Sequence, residues 1–438
     1  MNHVRWFDGA APLMAAARGG HFKVVELLLR REGIRLNQTC NKGATPLFHA
    51  AKNGHDKVVE MLLAEDGVQV DKANYCGETP LHTSARNGHG KVVKLLLGKE
   101  NIQISHADKH GTTPLYTAAE AGHANTVELL LKRDGIEVNQ ADSNGITPLY
   151  KAAEGGYAKI VEMLLRIKGI DVNHADTYGT TPLNRASERG HVKVVEHLLK
   201  KDGIQVNQRD DDDDTPLYTA AAEDHDKIVE LLLQHSGIKV NQENDIGNTP
   251  LFIAAESGNV KVVELLLRKN GINMNQADWD GLTPLHAAVV EEHISVVEVL
   301  LRQDGINVNI ANNIGDTPLL VAVKNGSYDL VIILLRKEGI KVNRATLYTA
   351  MESGHDNVAA LLKEKATQSP NETETCIVCM DRSPDVVLGP CGHENLCGAC
   401  AFQWDEEKKG CPIDRFPISR IFPLREAEVK SSSQKQRD

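Results

Sequence analysis

Residues 45–54 read Thr45-Pro46-Leu47-Phe48-His49-Ala50-Ala51-Lys52-Asn53-Gly54, and His55-Asp56 follows. Threonine is a good N-cap. Proline at the first helical position gives up only an N–H that would have no partner there. Leu47, Ala50 and Ala51 form a narrow apolar face, small enough to let a neighbour approach closely. Gly54 ends this helix, as a residue that tolerates positive φ does. A second helix starts at His55-Asp56, with Val58, Val59, Met61, Leu62 and Leu63 turned inward. Gly67 ends it, and Val68-Gln69-Val70 leads to a tip ending at Gly77. Thr79-Pro80 then restarts the cycle.

The proline recurs at 12, 46, 80, 114, 148, 182, 216, 250, 284 and 318, a constant step of 34 residues. Gly33-Ile34-Arg35-Leu36-Asn37 keeps the same phase and returns as Gly135-Ile136-Glu137-Val138-Asn139 and Gly305-Ile306-Asn307-Val308-Asn309. Val24-Val25-Glu26-Leu27-Leu28-Leu29 returns as Val262-Val263-Glu264-Leu265-Leu266-Leu267. Three markers in phase define a repeat, and two short helices cannot bury their faces alone, so the units must stack. The expected fold is an all-α solenoid of helix-turn-helix units with short β-hairpin tips over 9–365, about eleven units, with the terminal ones acting as caps. Leu319 to Leu347 is shorter than the period, which suits a C-terminal cap. A core of Leu, Val, Ile and Ala layers explains why only 4% of the chain is aromatic.

Thr79-Pro80-Leu81-His82 and Thr283-Pro284-Leu285-His286-Ala287-Ala288 resemble the ankyrin repeat signature, with one residue added to that family's usual period. The resemblance implies a concave face that binds other proteins through tips and first helices. The tips vary: Tyr75-Cys76, Lys109-His110, Tyr178, Asp245-Ile246, Trp279-Asp280 and Ile314. An exposed aromatic is a plausible binding anchor. Tyr75, Tyr178, Asp212 and Trp279 are therefore substrate-binding candidates, set against the alternative of solvated tips packing on their neighbours. The run Asp210-Asp211-Asp212-Asp213-Asp214 is read with Asp214 in place of the tip glycine. It is either a solvated turn or an acidic patch for a basic partner. Thr215 and Ala221 stand where a calcium loop needs glycine and glutamate. His21, His55, His89, His123 and His191 recur at the start of the second helix, a structural role.

Composition narrows the rest. No 18-residue apolar run and no apolar N-terminal core are present, so neither a membrane span nor a secretory signal is expected. Asn37-Gln38-Thr39 and Asn371-Glu372-Thr373 match a glycosylation pattern but are read as chance. A cytoplasmic location follows, with the nucleus as an option, and Cys40 and Cys76 are expected as free thiols. The net charge is −11, and residues 366–438 hold 9 basic and 12 acidic side chains. Neither part is basic, so nucleic acid is not the expected partner.

Six of the eight cysteines fall between Cys376 and Cys411. Crowding of this kind points to a local metal site rather than a disulfide scaffold. Ala366 to Thr375 is polar, contains Pro370 and reads as a linker (366–375). The cluster then runs Cys376, Cys379, Cys391, His393, Cys397, Cys400, Cys411 and Asp414. Eight candidate ligands make two tetrahedral Zn2+ sites, and so short a segment needs metal to fold. Residues 425–438 read as a disordered tail.

The spacing resembles a RING finger, here 376–424, a small zinc-stabilised α+β domain. The resemblance implies a cross-brace, with Cys376, Cys379, Cys397 and Cys400 on one zinc and Cys391, His393, Cys411 and Asp414 on the other. Asp414 stands where most of the family has cysteine. The resemblance further implies that Val378, Trp404 and Pro412 bind a ubiquitin-conjugating enzyme carrying ubiquitin, and that Arg415 is the catalytic cation contacting both. Ile418, Ile421 and Phe422 read as a closing strand, with RING dimerisation an option. The combined expectation is a RING-type E3 ubiquitin-protein ligase whose repeats select a protein substrate. A non-enzymatic ankyrin scaffold or adaptor with a structural zinc module is the alternative. No HExxH, P-loop or GxSxG motif supports a hydrolase.

Overall fold

A computed structural model describes residues 11–367 and three short strands, Val386–Gly389 (β1), His393–Leu396 (β2) and Arg420–Pro423 (β3). The described residues form 22 helices, arranged in pairs. Their contacts divide the chain into two compact units, residues 1–250 with 268–272, and 251–267 with 273–438. In the first unit seven pairs follow one another, from Pro12–Arg18 with Phe22–Leu29 to Pro216–Ala222 with Asp226–Gln234. In the second, four more end at Asp356–Thr367, and the three strands belong to the same unit.

Each pair forms for the reasons its sequence states. Thr45 is extended at φ −90° and its hydroxyl accepts the Phe48 N–H at 3.1 Å. At Thr79 the cap is closed from both sides, because His82 Nδ1 accepts the Thr79 N–H at 3.1 Å. That acceptance puts the ring proton on Nε2, which donates to the Thr112 carbonyl of the next pair at 3.0 Å. The imidazole is fully buried, and burial pushes its pKa down to about 4, so it stays neutral and keeps this tautomer. His286 repeats the arrangement in the second unit, reaching the Asp316 carbonyl at 3.0 Å.

The core runs along the joints. Ala50, Ala51, Val59 and Leu62 are inaccessible to solvent, and the same positions recur as Ala152, Ala153, Val161 and Leu164. Successive joints are also stitched by polar contacts. His55 Nε2 reaches the Arg18 carbonyl at 3.0 Å, and His191 reaches Glu154 at 2.9 Å. Lys201 and Lys337 donate to the terminal carbonyls of the preceding second helices, at Leu165 (2.7 Å) and Leu301 (2.6 Å). Cations suit helix C-termini.

The tips are tighter than the expected hairpins. Residues 11–367 contain no strand. Each tip is instead a turn closed by a single ladder-like bond, Asn74 N–H to Glu78 at 2.9 Å. Beyond the first tip, where Cys40 stands, its shape comes from an Asn or Asp side chain: Asp108 Oδ1 accepts two N–H groups, from His110 and Thr112, both at 2.9 Å. Within the first unit one backbone bond links each tip to the next, as in Thr177 N–H to Asn144 at 2.9 Å.

Among the described residues four non-glycine residues have positive φ: Asn101 (61°), Asp213 (59°), Asp224 (56°) and Glu292 (58°). All four fall at positions where the other repeats carry glycine. The tip-glycine position of the aspartate run is therefore Asp213 and not Asp214, which corrects the sequence reading by one residue. Counting the period from Gly179 leads to 213. Asp tolerates the left-handed region because its short side chain bonds locally.

Candidate functional site

The first unit carries a polar network along its first helices. Tyr150 Oη donates to Asp176 Oδ2 at 2.8 Å, and Arg185 Nε donates to the same phenol oxygen at 2.8 Å. The Arg185 guanidinium also lies 5.6 Å from the centre of the Tyr150 ring, a cation–π distance. One repeat earlier, Tyr116 donates to Asp142 at 3.0 Å. Burial, reinforced by Asp142, pushes the Tyr116 phenol above its ordinary range, so it remains a donor. Charges of alternating sign flank this network. Lys151 lies 3.6 Å from Glu120 and 2.9 Å from Glu154, and Arg185 lies 2.6 Å from Glu188. Burial works against the Lys151 ammonium, but the two glutamates outweigh it and raise its pKa. The sequence reading did not single out these residues. Aligning the nine Thr-Pro units would have shown Lys151 and Arg185 at one shared position three residues after the proline.

The four tip candidates are all exposed. Tyr75, Tyr178 and Trp279 each present about two thirds of their surface, and Asp212 is exposed as well. The fold brings only two together: the Asp211 N–H bonds the Tyr178 carbonyl at 3.0 Å, which sets Tyr178 beside the aspartate run. Tyr75 sits at a tip three repeats earlier, and Trp279 belongs to the second compact unit. Among the described residues no group of three or more His, Cys, Asp or Glu side chains is placed to hold a metal ion. Cys40 is buried, Cys76 is exposed, and both are free thiols. No described helix is long and apolar enough to cross a membrane.

Asp214 has a distinct role within the run. Burial pushes its carboxyl up to about 7; an Asn244 N–H at 3.0 Å opposes the shift, and Asp210, Asp212 and Asp245 add to it. A folded-state pKa above the unfolded value means the carboxylate destabilises the fold, and that stability returns as pH falls from above 7 toward 4. Asp214→Asn keeps the oxygen that accepts from Asn244 and removes the charge. It should raise the urea midpoint at about pH 8 and change it little near pH 4. Equal shifts at both pH values would sink this assignment.

The C-terminal strands form one antiparallel sheet in the order β2-β1-β3. Leu388 of β1 pairs with His393 of β2, and the register slips between Val386 and Leu388. Val387 and Leu388 pair with Phe422 and Ile421 of β3, so the closing strand expected from Ile421 and Phe422 is present. His393 opens β2, and the three residues joining β1 to β2 in sequence include Cys391. The other ligand candidates, Cys376, Cys379, Cys391, Cys397, Cys400, Cys411 and Asp414, lie outside the described residues. So do Val378, Trp404, Pro412, Arg415 and Ile418.

Comparison with known proteins adds to this geometry. A family model described as ankyrin repeats (3 copies) matches residues 1–74, 66–142, 135–210, 203–278, 242–312 and 270–346. A model described as a zinc finger, C3HC4 type (RING finger), matches residues 372–421. A finger of this kind binds zinc. Among curated proteins, mouse E3 ubiquitin-protein ligase NEURL3 is 30% identical over 60 residues, 14% of this chain and 24% of its own length. The putative E3 ubiquitin-protein ligase XBAT34 of Arabidopsis thaliana is 34% identical over 53 residues, 12% of this chain and 14% of its own. Human E3 ubiquitin-protein ligase CHFR is 47% identical over 51 residues, 11% of this chain and 8% of its own. The chain thus spans a quarter or less of these relatives, and the likeness lies in the RING region.

Proposed function

The chain belongs to the ankyrin-repeat family and carries a C-terminal RING finger, and on that premise we propose that it is a RING-type E3 ubiquitin ligase. The observation that carries the reading is the joining of these two modules in one chain. The repeats supply a protein-binding surface, and the finger supplies a site for a conjugating enzyme. The donor set fits zinc: six cysteines, His393 and Asp414 are thiolate, imidazole and carboxylate ligands, enough for two four-coordinate ions. Bound zinc supplies folding energy to a segment too small for a core of its own.

Each protein residue then has a task. Val378, Trp404 and Pro412 give the conjugating enzyme an apolar seat. Arg415 hydrogen-bonds both that enzyme and the ubiquitin it carries, and so holds the ubiquitin tail in a reactive arrangement. A substrate lysine amine attacks the thioester, the carbon–sulfur bond breaks, and an isopeptide bond forms. No cysteine of this chain enters that exchange. The ligase contributes proximity and orientation, a contribution that reaches several kcal/mol in well-positioned reactions. The substrate would dock on the tips and first helices, with Tyr75, Tyr178, Asp212 and Trp279 as candidate contacts. The working location would be the cytoplasm or nucleus.

The test mixes the purified full chain with ubiquitin, activating enzyme and a panel of conjugating enzymes. Ubiquitin chains should form with at least one of them and stop when a chelator removes zinc. If the zinc-loaded protein forms no chains with any member of the panel, it is a scaffold.

A further inference from the structure

The asparagine that marks most repeats is a clasp between one repeat and the next. Asn37 Nδ2 donates to the Gly67 carbonyl at 2.7 Å, and Asn37 Oδ1 accepts the Gln69 N–H at 2.8 Å. Asn139, Asn173, Asn207 and Asn309 do the same with the residues 30 and 32 positions on. One side chain thus donates through its nitrogen and accepts through its oxygen across the joint, a pairing that a carboxylate cannot supply.

Position 71 breaks the pattern. Asp71 Oδ2 still accepts the Gln103 N–H at 3.1 Å, which is the accepting half of the clasp. Asp71 Oδ1 is buried without a partner. By the register of the other clasps it faces the carbonyl of Asn101, where a donor belongs. We propose that Asp71 is a proton-operated clasp between the second and third repeats: as a carboxylic acid it donates to the Asn101 carbonyl and closes the joint, and as a carboxylate it leaves it half made. A buried acceptor facing another acceptor is costly, and protonation converts one of them into a donor.

The surroundings agree. Burial raises the Asp71 pKa above the ordinary carboxylate range, with the Gln103 N–H and the His106 imidazole opposing it. His106 comes from the following repeat, and its Nδ1 contacts Gln103 Oε1 at 3.0 Å. Behind it, the His82 ring packs edge-on against His106 with centroids 5.9 Å apart, and Asp108 and Glu78 act on His82. The sign is therefore set: this joint loosens as pH rises past the folded pKa of Asp71 and tightens as pH falls through it. The next joint is also incomplete, because Ser105 only accepts the Glu137 N–H at 3.0 Å, so no intact clasp flanks Asp71 on that side.

Hydrogen exchange of the full chain tests this, read on peptides spanning residues 99–110. Asp71→Asn should slow exchange there about tenfold at pH 7.5, the factor that one restored buried hydrogen bond of about 1.4 kcal/mol gives. The ratio of variant to wild type should approach one as pH is lowered through the folded pKa of Asp71, below which the native acid makes the same bond. The converse substitution, Asn139→Asp, should create the same pH dependence around residues 167–173. Asparagine already occupies this position in neighbouring repeats, so both variants retain the fold's own vocabulary. An Asp71→Asn ratio that stays at one, or that is the same at every pH, overturns the proposal.

Discussion

Replacing Gly156 with alanine should destabilise the repeat array by about 3 kcal/mol, one to two from the left-handed backbone and the rest from overpacking. Gly156 has φ +71°, and an added Cβ would stand 2.7 Å from the His191 ring of the next repeat. The ring cannot retreat freely, because its Nε2 is bonded to the Glu154 carbonyl at 2.9 Å. The measurement is the urea midpoint followed by circular dichroism, since a stack of repeats need not unfold in one step. His191→Ser in the same chain should recover the overpacking part but not the backbone part. A Gly156→Ala midpoint within error of wild type would show that the ring and the glycine do not constrain each other.

The sequence itself supports this coupling. Wherever a ring begins the second helix, the preceding repeat has glycine: Gly20 with His55, Gly54 with His89, Gly88 with His123, Gly122 with Tyr157, Gly190 with His225. Where glycine is replaced, the ring is missing too. Glu292 is followed 35 residues later by Ser327, and Asp224 by Asn259. Ser327 Oγ donates to Glu292, filling the space a ring would take. The histidines that looked merely recurrent are thus half of a two-residue rule.

This shows what a single sequence reveals here. Anything that repeats in phase was legible: the Thr-Pro caps, the Gly-His turns, the apolar second helix and the Asn marker. What the Asn marker does was not, because its partner lies 30 residues on and becomes a neighbour only after stacking. The Tyr150, Asp176 and Arg185 network was hidden for the same reason, being made of residues 26 and 35 positions from Tyr150 that span two repeats. The misplaced tip position, Asp213 read as Asp214, came from judging a run of identical residues by composition rather than by phase. In the C-terminal part, ligand spacing identified the finger, while the strands that pair Leu388 with His393 and Ile421 are too short for periodicity to mark.

Arg415→Ala should lower the rate at which a conjugating enzyme discharges its ubiquitin onto lysine by about 10²-fold, the scale of a lost positioning contact. This follows from the proposed division of labour in the finger. Val378, Trp404 and Pro412 would only seat the conjugating enzyme, so Val378→Ala should raise the enzyme concentration needed for half-maximal rate. Arg415 would act on the bound thioester conjugate, so its loss should lower the saturating rate with that concentration little changed. Single-turnover discharge, titrated with the conjugating enzyme, separates the two. Zinc content should stay the same in both variants, because neither residue is a proposed ligand, and the helical signal of the repeats should not move. If Arg415→Ala instead changes only the half-maximal concentration, the arginine is one more docking contact and the positioning role belongs elsewhere. If Cys376→Ser leaves discharge intact while Arg415→Ala abolishes it, zinc-dependent folding of the finger is the part that fails.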